Sequence, residues 1–244
     1  MTSLALTLAT AALLTATGAA HAALVDRGGG MIYDTTRDIT WLADMNFAAT
    51  SGHDDDGLMS WANAQQWADG LVYGGFDDWR LPTLNPSSDT SCSNTVNPGG
   101  GFPLQYYGYN CAGGELSGLF VTELGNQAGE SVLDQTGDTA EQVANLALFS
   151  NVQAVAGAYW SGTAFEADPD LVWSFHSSSG LQNFGDNDYA FHALAVRAGD
   201  VPLPLVTPGN GGNGGGSSVP EPQSLALAVL GLLGAAGTRW TRSR

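Results

Sequence analysis

Three short acidic turns carry the side chains that hold hard cations. Asp54-Asp55-Asp56-Gly57 sets three carboxylates in a row before a glycine, and Asp186-Asn187-Asp188 brackets an amide with two carboxylates. Calcium takes about six to eight oxygen ligands, so Asp54 and Asp56 in one turn and Asp186 and Asp188 in the other are candidate ligands. Neither turn has the alternating ligands closed by a glutamate that mark an EF-hand. Each is equally a solvated turn, and both readings stand at this point. Glu166, Asp168 and Asp170 form a third acidic turn, read as solvated.

Tyr106, Tyr107 and Tyr109 cluster among glycines and prolines. Rings so placed stack on sugar faces while their hydroxyls bond outward, or they pack a loop onto its domain. Together with Asp186, Asn187 and Asp188 they are the candidate binding residues. Tyr107 and Tyr109 share a face only if the chain is extended there. Catalytic patterns are thinner. Past the first 22 residues the histidines are His53, His176 and His192, and none falls in a zinc spacing such as H-x-x-x-H. There is no Gly-x-Ser-x-Gly elbow, no phosphate-binding loop and no dinucleotide glycine pattern. Carboxylates are abundant enough that a glycosidase-like pair stays open. A non-enzyme is the expectation, with an enzyme as the lesser alternative.

Charge sets further bounds. The 244 residues hold 7 Lys+Arg, all of them Arg, against 24 Asp+Glu, for a formal charge of −17. Residues 23–203 carry 23 of the acids and only Arg27, Arg37, Arg80 and Arg197, a balance of −19. Such a surface repels a polyanion, so nucleic acid is excluded as a partner. An apolar content of 43% with seven Trp is enough to build a core and excludes disorder. Arginines this scarce are expected in bidentate carboxylate pairs: Arg80, in Asp78-Trp79-Arg80, and Arg197 are the foremost cases.

The elements that must position these groups follow from periodicity. Residues 31–33 and 39–42 read as strands joined by the turn Asp34-Thr35-Thr36-Arg37-Asp38. Ser60 starts a helix with Trp61, Ala64, Ala68 and Leu71 on one face, ended by Gly70, Gly74 and Gly75. A second helix is expected over 115–124, with Leu116, Leu119, Phe120 and Leu124 aligned. Between them, 84–113 reads as a long surface loop. Residues 158–161, 171–175 and 191–196 read as strands of a terminal meander. The fold class is α+β.

Several of these strings together resemble the Lcl C-terminal-domain family. They are Thr50-Ser51-Gly52-His53-Asp54-Asp55-Asp56-Gly57, Gly74-Gly75-Phe76-Asp77-Asp78-Trp79-Arg80-Leu81-Pro82-Thr83, Glu115-Leu116 with Leu119-Phe120 and Leu124-Gly125-Asn126, Tyr159-Trp160-Ser161-Gly162-Thr163, and Ala195-Val196-Arg197. The resemblance spans about 31–200. It implies a C-type-lectin-like domain with two helices, short strands and long loops, in the branch related to formylglycine-generating enzymes. It makes Asp78, Trp79, Arg80, Tyr159, Trp160 and Arg197 structural marks, and an exported, non-catalytic binding module the expected role.

The two ends are read as targeting segments. Residues 1–22 form an apolar run ending in Ala20-His21-Ala22, a secretory signal cut by signal peptidase. Residues 204–218 form a Gly-rich linker. In 219–244, Pro220-Glu221-Pro222 precedes an apolar run over 225–237 and the cluster Arg239, Arg242, Arg244. This order resembles the PEP-CTERM sorting signal of Gram-negative bacteria. It implies an apolar transmembrane helix, transient inner-membrane insertion, processing by exosortase, and release or transfer to the cell surface or exopolysaccharide. In an exported chain the only two cysteines, Cys92 and Cys111, are expected to form a disulfide worth about 3 kcal/mol. The expected function is a surface-associated protein that binds carbohydrate or another surface macromolecule, with calcium as an open cofactor. A structural matrix component without a specific ligand is the alternative.

Overall fold

Asp34 shows how the first hairpin forms. It ends a strand whose alternate residues face inward, and its carboxylate is fully buried. One oxygen accepts the amides of Thr36 and Arg37 at 3.0 Å each, which turns the chain; the other accepts the Arg37 guanidinium at 2.8 Å. The computed structural model describes residues 23–155 and 157–201. The signal, linker and sorting-tail expectations, including the apolar helix, lie outside the described residues. No helix among the described residues is long and apolar enough to cross a membrane.

The described chain is mixed α and β, with two antiparallel sheets. In chain order the elements are β1 (Leu24–Gly28), β2 (Met31–Asp34), β3 (Ile39–Leu42), α1 (Phe47–Thr50), α2 (Trp61–Asp69), β4 (Asn94–Val96), β5 (Gln105–Tyr109), α3 (Glu115–Gly118), a π-turn (Leu119–Glu123), α4 (Ala140–Leu146), β6 (Tyr159–Ala164), β7 (Leu171–His176), β8 (Leu181–Asp186) and β9 (Val196–Ala198). One sheet runs β1-β2-β3-β9, so the last strand closes on the first hairpin. The other runs β4-β5-β8-β7-β6.

Period-2 alternation divides the apolar side chains between two cores. Trp41, Tyr159, Trp173 and Val196 enter one cluster, around Phe120 and Phe175. Their chain neighbours Leu42, Trp160, Val172 and Ala195 enter the other, with Trp67 and Trp79. These strands are therefore covered on both faces and read as continuous apolar runs. Phe120 stacks on Phe175 at 5.2 Å and tilts against Tyr159 at 5.4 Å, which fixes the π-turn on the larger sheet.

Several expectations are corrected. Among the described residues there are four short α-helices and a π-turn, not two helices. The helix over 115–124 loses α-geometry after Gly118. A Cβ there would overlap the Arg37 guanidinium, so only glycine lets Arg37 cross to Glu123 at 3.1 Å. Segment 84–113 contributes β4 and β5 to the larger sheet and is not simply a surface loop. Residues 191–195 make only isolated bridges, through Phe191 and His192, and regular pairing begins at Val196. β8 lies between the runs 171–175 and 191–196, where the sequence pattern gave no strand. Ser60 does precede α2, but its hydroxyl makes no capping bond; the Trp61 amide instead donates to the Asn187 carbonyl at 3.0 Å.

Candidate functional site

Both acidic turns spend carboxylate oxygens on their own backbone. Asp54 accepts the amides of Gly57 at 2.8 Å and Asp56 at 3.1 Å, and Asp56 accepts Leu58 at 3.0 Å. These amides, Gly57 first, hold the Asp54 carboxyl below its usual range. Asp186 accepts the Asp188 amide at 3.0 Å, and the Asn187 amide group donates to Pro169 at 3.3 Å. Among the described residues, the single group of three or more His, Cys, Asp or Glu ligand atoms within 4.8 Å is Asp89, Cys92 and Cys111. Those sulfurs form the Cys92–Cys111 disulfide, and Asp89 instead accepts the Gly113 amide at 2.7 Å. A cation at either acidic turn would therefore draw most of its oxygens from backbone and water.

Tyr106, Tyr107 and Tyr109 all lie on β5 and are half-buried. Between Tyr107 and Tyr109 the chain passes through Gly108 at φ +102°, so the regular extension that would put the two rings on one face is broken there. Tyr107 packs edge-on against Phe184 at 6.1 Å. The backbone of Tyr106 is bound on both sides, its amide to Pro86 at 2.7 Å and its carbonyl to Gln182 at 3.1 Å.

The histidines are dispersed. His53 is exposed. Burial lowers the His176 pKa. Burial also lowers that of His192, partly opposed by the Asp56 charge and a hydrogen bond with the Gly57 backbone. The Ser177 hydroxyl donates to the carbonyls of Gln153 and Gly157 rather than meeting an imidazole.

All four described arginines end on carboxylates. Arg80 is bidentate to Glu115 at 2.7 Å for each bond, and Arg197 is bidentate to Asp78 at 2.7 and 3.0 Å. Arg197 also lies 3.9 Å over the Phe76 ring. Trp79, between the two acid–base partners, is buried, and its indole N–H donates to Tyr73 at 3.2 Å. Tyr159 and Trp160 are fully buried; the Tyr159 hydroxyl accepts from Gln153 and the Trp160 indole donates to Met59. The two other arginines, Arg27 and Arg37, pair with Asp200 and with Asp34 plus Glu123.

A cavity of about 460 Å³ lies away from all these residues, lined by Asn110, Gly125, Asn126, Gln127, Asp138 and Gln142 among others. None of these six stood out in the sequence as a ligand group. Gly125 and Asn126 entered only within the Leu124-Gly125-Asn126 string, and the other four are three amides and an aspartate brought together by loops and α4.

Of the whole chain, residues 218–242 match the PEP-CTERM protein-sorting motif. No curated protein and no solved structure matches the chain. The motif implies an exosortase-processed, exported protein whose membrane-inserted precursor is sorted to the cell envelope or surface of a Gram-negative bacterium.

Two of these pairs set a pH dependence with opposite signs. Burial would raise Glu115, but the Arg80 pair and the Thr83 amide outweigh it and hold the carboxyl below its usual 4.5. Its contribution is complete above pH 4.5 and fades as pH falls through the lowered value. Glu123 goes the other way: burial, helped by the Asp34 and Glu141 charges, raises it and outweighs the hydrogen bond and charge of Arg37. Its effect is a loss of stability as pH rises from 4.5 through the raised value. Glu115→Gln is expected to cost about 1–2 kcal/mol at neutral pH, allowing for the partial exposure of Arg80, and to flatten the acid limb of unfolding free energy against pH. Glu123→Gln is expected to steepen the net fall in stability toward acid. Denaturant titrations between pH 3 and 7 measure both slopes; unchanged slopes would contradict the assigned directions.

Proposed function

We propose that the chain is an exported precursor with a signal peptide at 1–22, a binding domain at 23–203, a linker at 204–218 and a sorting tail at 219–244. Exosortase recognises the tail and delivers the domain to the cell surface or exopolysaccharide. There the domain acts without catalysis, binding carbohydrate or another surface macromolecule. The single observation that carries the reading is the sorting motif over residues 218–242.

Kinship with the Lcl C-terminal-domain family, and with it the C-type-lectin-like fold, belongs to the same proposal. Its support is that the strings behind the resemblance meet in space: Asp78 pairs with Arg197, and Arg80 with Glu115. The binding role is supported by three half-buried tyrosines whose hydroxyls make no hydrogen bond to a described residue. Calcium at Asp186 and Asp188, or at Asp54 and Asp56, would bridge sugar hydroxyls to a strongly acidic surface.

Replacing Pro220, Glu221 and Pro222 by alanine is expected to leave full-length precursor in the membrane fraction; immunoblots showing normal processing would overturn the sorting claim. On a glycan array, the protein is expected to bind saturably, and loss of that binding with chelator and with Asp188→Ala would identify calcium-dependent recognition. No binding to any glycan, with the protein still retained in exopolysaccharide, would identify a structural matrix component instead.

A further inference from the structure

The cavity beside the π-turn is rich in hydrogen-bond acceptors that nothing among the described residues satisfies. Gly125 closes the turn in the left-handed region, at φ +76°, and a Cβ there would lie 2.5–2.8 Å from the Asp138 carboxylate atoms. The aspartate thus rests directly on the glycine backbone. Its Oδ2 is buried and has no partner, and no described residue donates to its Oδ1. The adjacent Asn126 is 2% exposed. Its side-chain nitrogen donates to the Glu130 carbonyl at 2.8 Å, and because a carbonyl only accepts, this bond fixes which way the amide faces. The atom left over is Oδ1, buried and unpartnered.

The loops holding these atoms are firmly placed. Gly180, at the β7–β8 turn, approaches the Asn126 and Gln127 carbonyls so closely that a Cβ would stand 2.6 Å from the latter. The Gly129 amide donates to Ser179 at 2.8 Å. On the other wall, Gln142 is consumed by the Thr139 cap and by Thr122. Gln127 donates to Thr136 and keeps its Oε1 free. The side chain of Asn110, at φ +63° just after β5, is exposed and makes no hydrogen bond within the described protein. Val121 and Ala128 supply apolar surface between the polar groups.

Unmet buried acceptors cost free energy unless a donor arrives. None of the four described arginines is available, because each is paired elsewhere, and the chain has no lysine. A divalent cation fits poorly: Asp138 joins no group of three acidic or imidazole ligands among the described residues. The volume is in the range of small-molecule sites rather than that of one ion. Hydroxyl groups match the donor deficit. A ligand hydroxyl can donate to the Asp138 Oδ1, which is not buried, and another to the free Gln127 Oε1, while the Asn110 amide can donate back; the buried Asp138 Oδ2 and Asn126 Oδ1 are reached only by a ligand that parts the wall in front of them. C–H faces of a sugar ring suit the Val121 and Ala128 surface.

We propose that this cavity is a binding site for a neutral polyhydroxyl ligand, a pyranose ring or the end of a glycan, with Asp138 and Gln127 as its principal acceptors. It rests on the carbohydrate reading above and gives that reading a location distinct from the tyrosines and the acidic turns.

The test uses the full chain in a detergent without a sugar headgroup, titrated calorimetrically with methyl glycosides of glucose, galactose, mannose and N-acetylglucosamine. At least one is expected to bind saturably. Asp138→Ala and Asp138→Asn are each expected to weaken it about tenfold or more, the equivalent of one hydrogen bond to a charged group. Asn110→Ala is expected to weaken it several-fold. Neither side chain bonds to the described protein, and Asp138 carries an unmet buried acceptor, so no loss of thermal stability is expected in any of the three variants. Binding that survives these substitutions would overturn this site while leaving a carbohydrate-binding domain intact. No binding of any glycoside here or on the array would overturn both. Stabilisation by calcium chloride alone, lost in Asp138→Ala, would assign the cavity to a cation and overturn the hydroxyl assignment.

Discussion

Each described arginine reaches a carboxylate brought from a distant part of the chain, and the rest of the architecture hangs on those four links. Arg197 and Asp78 are 119 residues apart, Arg27 and Asp200 are 173 apart, Arg37 and Glu123 are 86 apart, and Arg80 and Glu115 are 35 apart. The first two tie the closing strand and its exit to the early part of the chain. The third fixes the first hairpin on the π-turn, and the fourth fixes the Asp78-Trp79-Arg80 segment on α3. In a body with four cations against 23 acids, each link also removes charge repulsion where two segments must meet. The planar guanidinium suits this task because it forms two parallel bonds to one carboxylate, as at Arg80 and Arg197.

The links act together with the division of the strands between two cores. Trp41 and Leu42, Tyr159 and Trp160, and Val172 and Trp173 are adjacent pairs that point into opposite cores. A one-residue slip in any of these strands would exchange the two cores' side chains, so register is strongly specified. The consequence for function is positional. With both strand faces covered, accessible groups are left to strand ends, to the outer β4–β5 pair of the larger sheet, and to the loops around the π-turn.

Much of this was legible in the sequence, for physical reasons that can be named. The 31–42 hairpin showed because an Asp-Thr-Thr-Arg-Asp turn interrupts apolar residues, and the structure adds that Asp34 itself makes the turn. β6 and β7 showed as aromatic runs, α2 showed in its apolar face, and scarcity alone pointed to Arg80 and Arg197 as paired. Other elements were hidden. β8 is Leu-Gln-Asn-Phe-Gly-Asp, too polar to read as a strand; what makes it one is backbone pairing with β7, and the Gln182 amide reaches across the sheet to the Tyr106 carbonyl. The 191–196 run looked like a strand on hydrophobicity, yet its burial comes from packing between the cores with few ladder bonds. β4 and β5 were masked by the glycines and prolines around them. The cavity was the least legible feature. Asn126 and Asp138 are twelve positions apart in loops, and their significance lies in hydrogen bonds they do not make, which no local pattern records.

Two consequences of the same charge distribution meet at the surface. The four described guanidinium groups are each paired with a carboxylate, some of them at the surface, so the domain's exposed charge is dominated by its acidic turns. A surface with this balance is predicted to repel sulfated or phosphorylated polymers. Retention on a sulfated-polysaccharide matrix at low ionic strength, with Arg239, Arg242 and Arg244 replaced by serine so that only the domain is sampled, tests this most directly. The domain is predicted to pass unretained; firm, salt-sensitive retention would show that the carboxylate-paired arginines still bind anions, and would contradict the account.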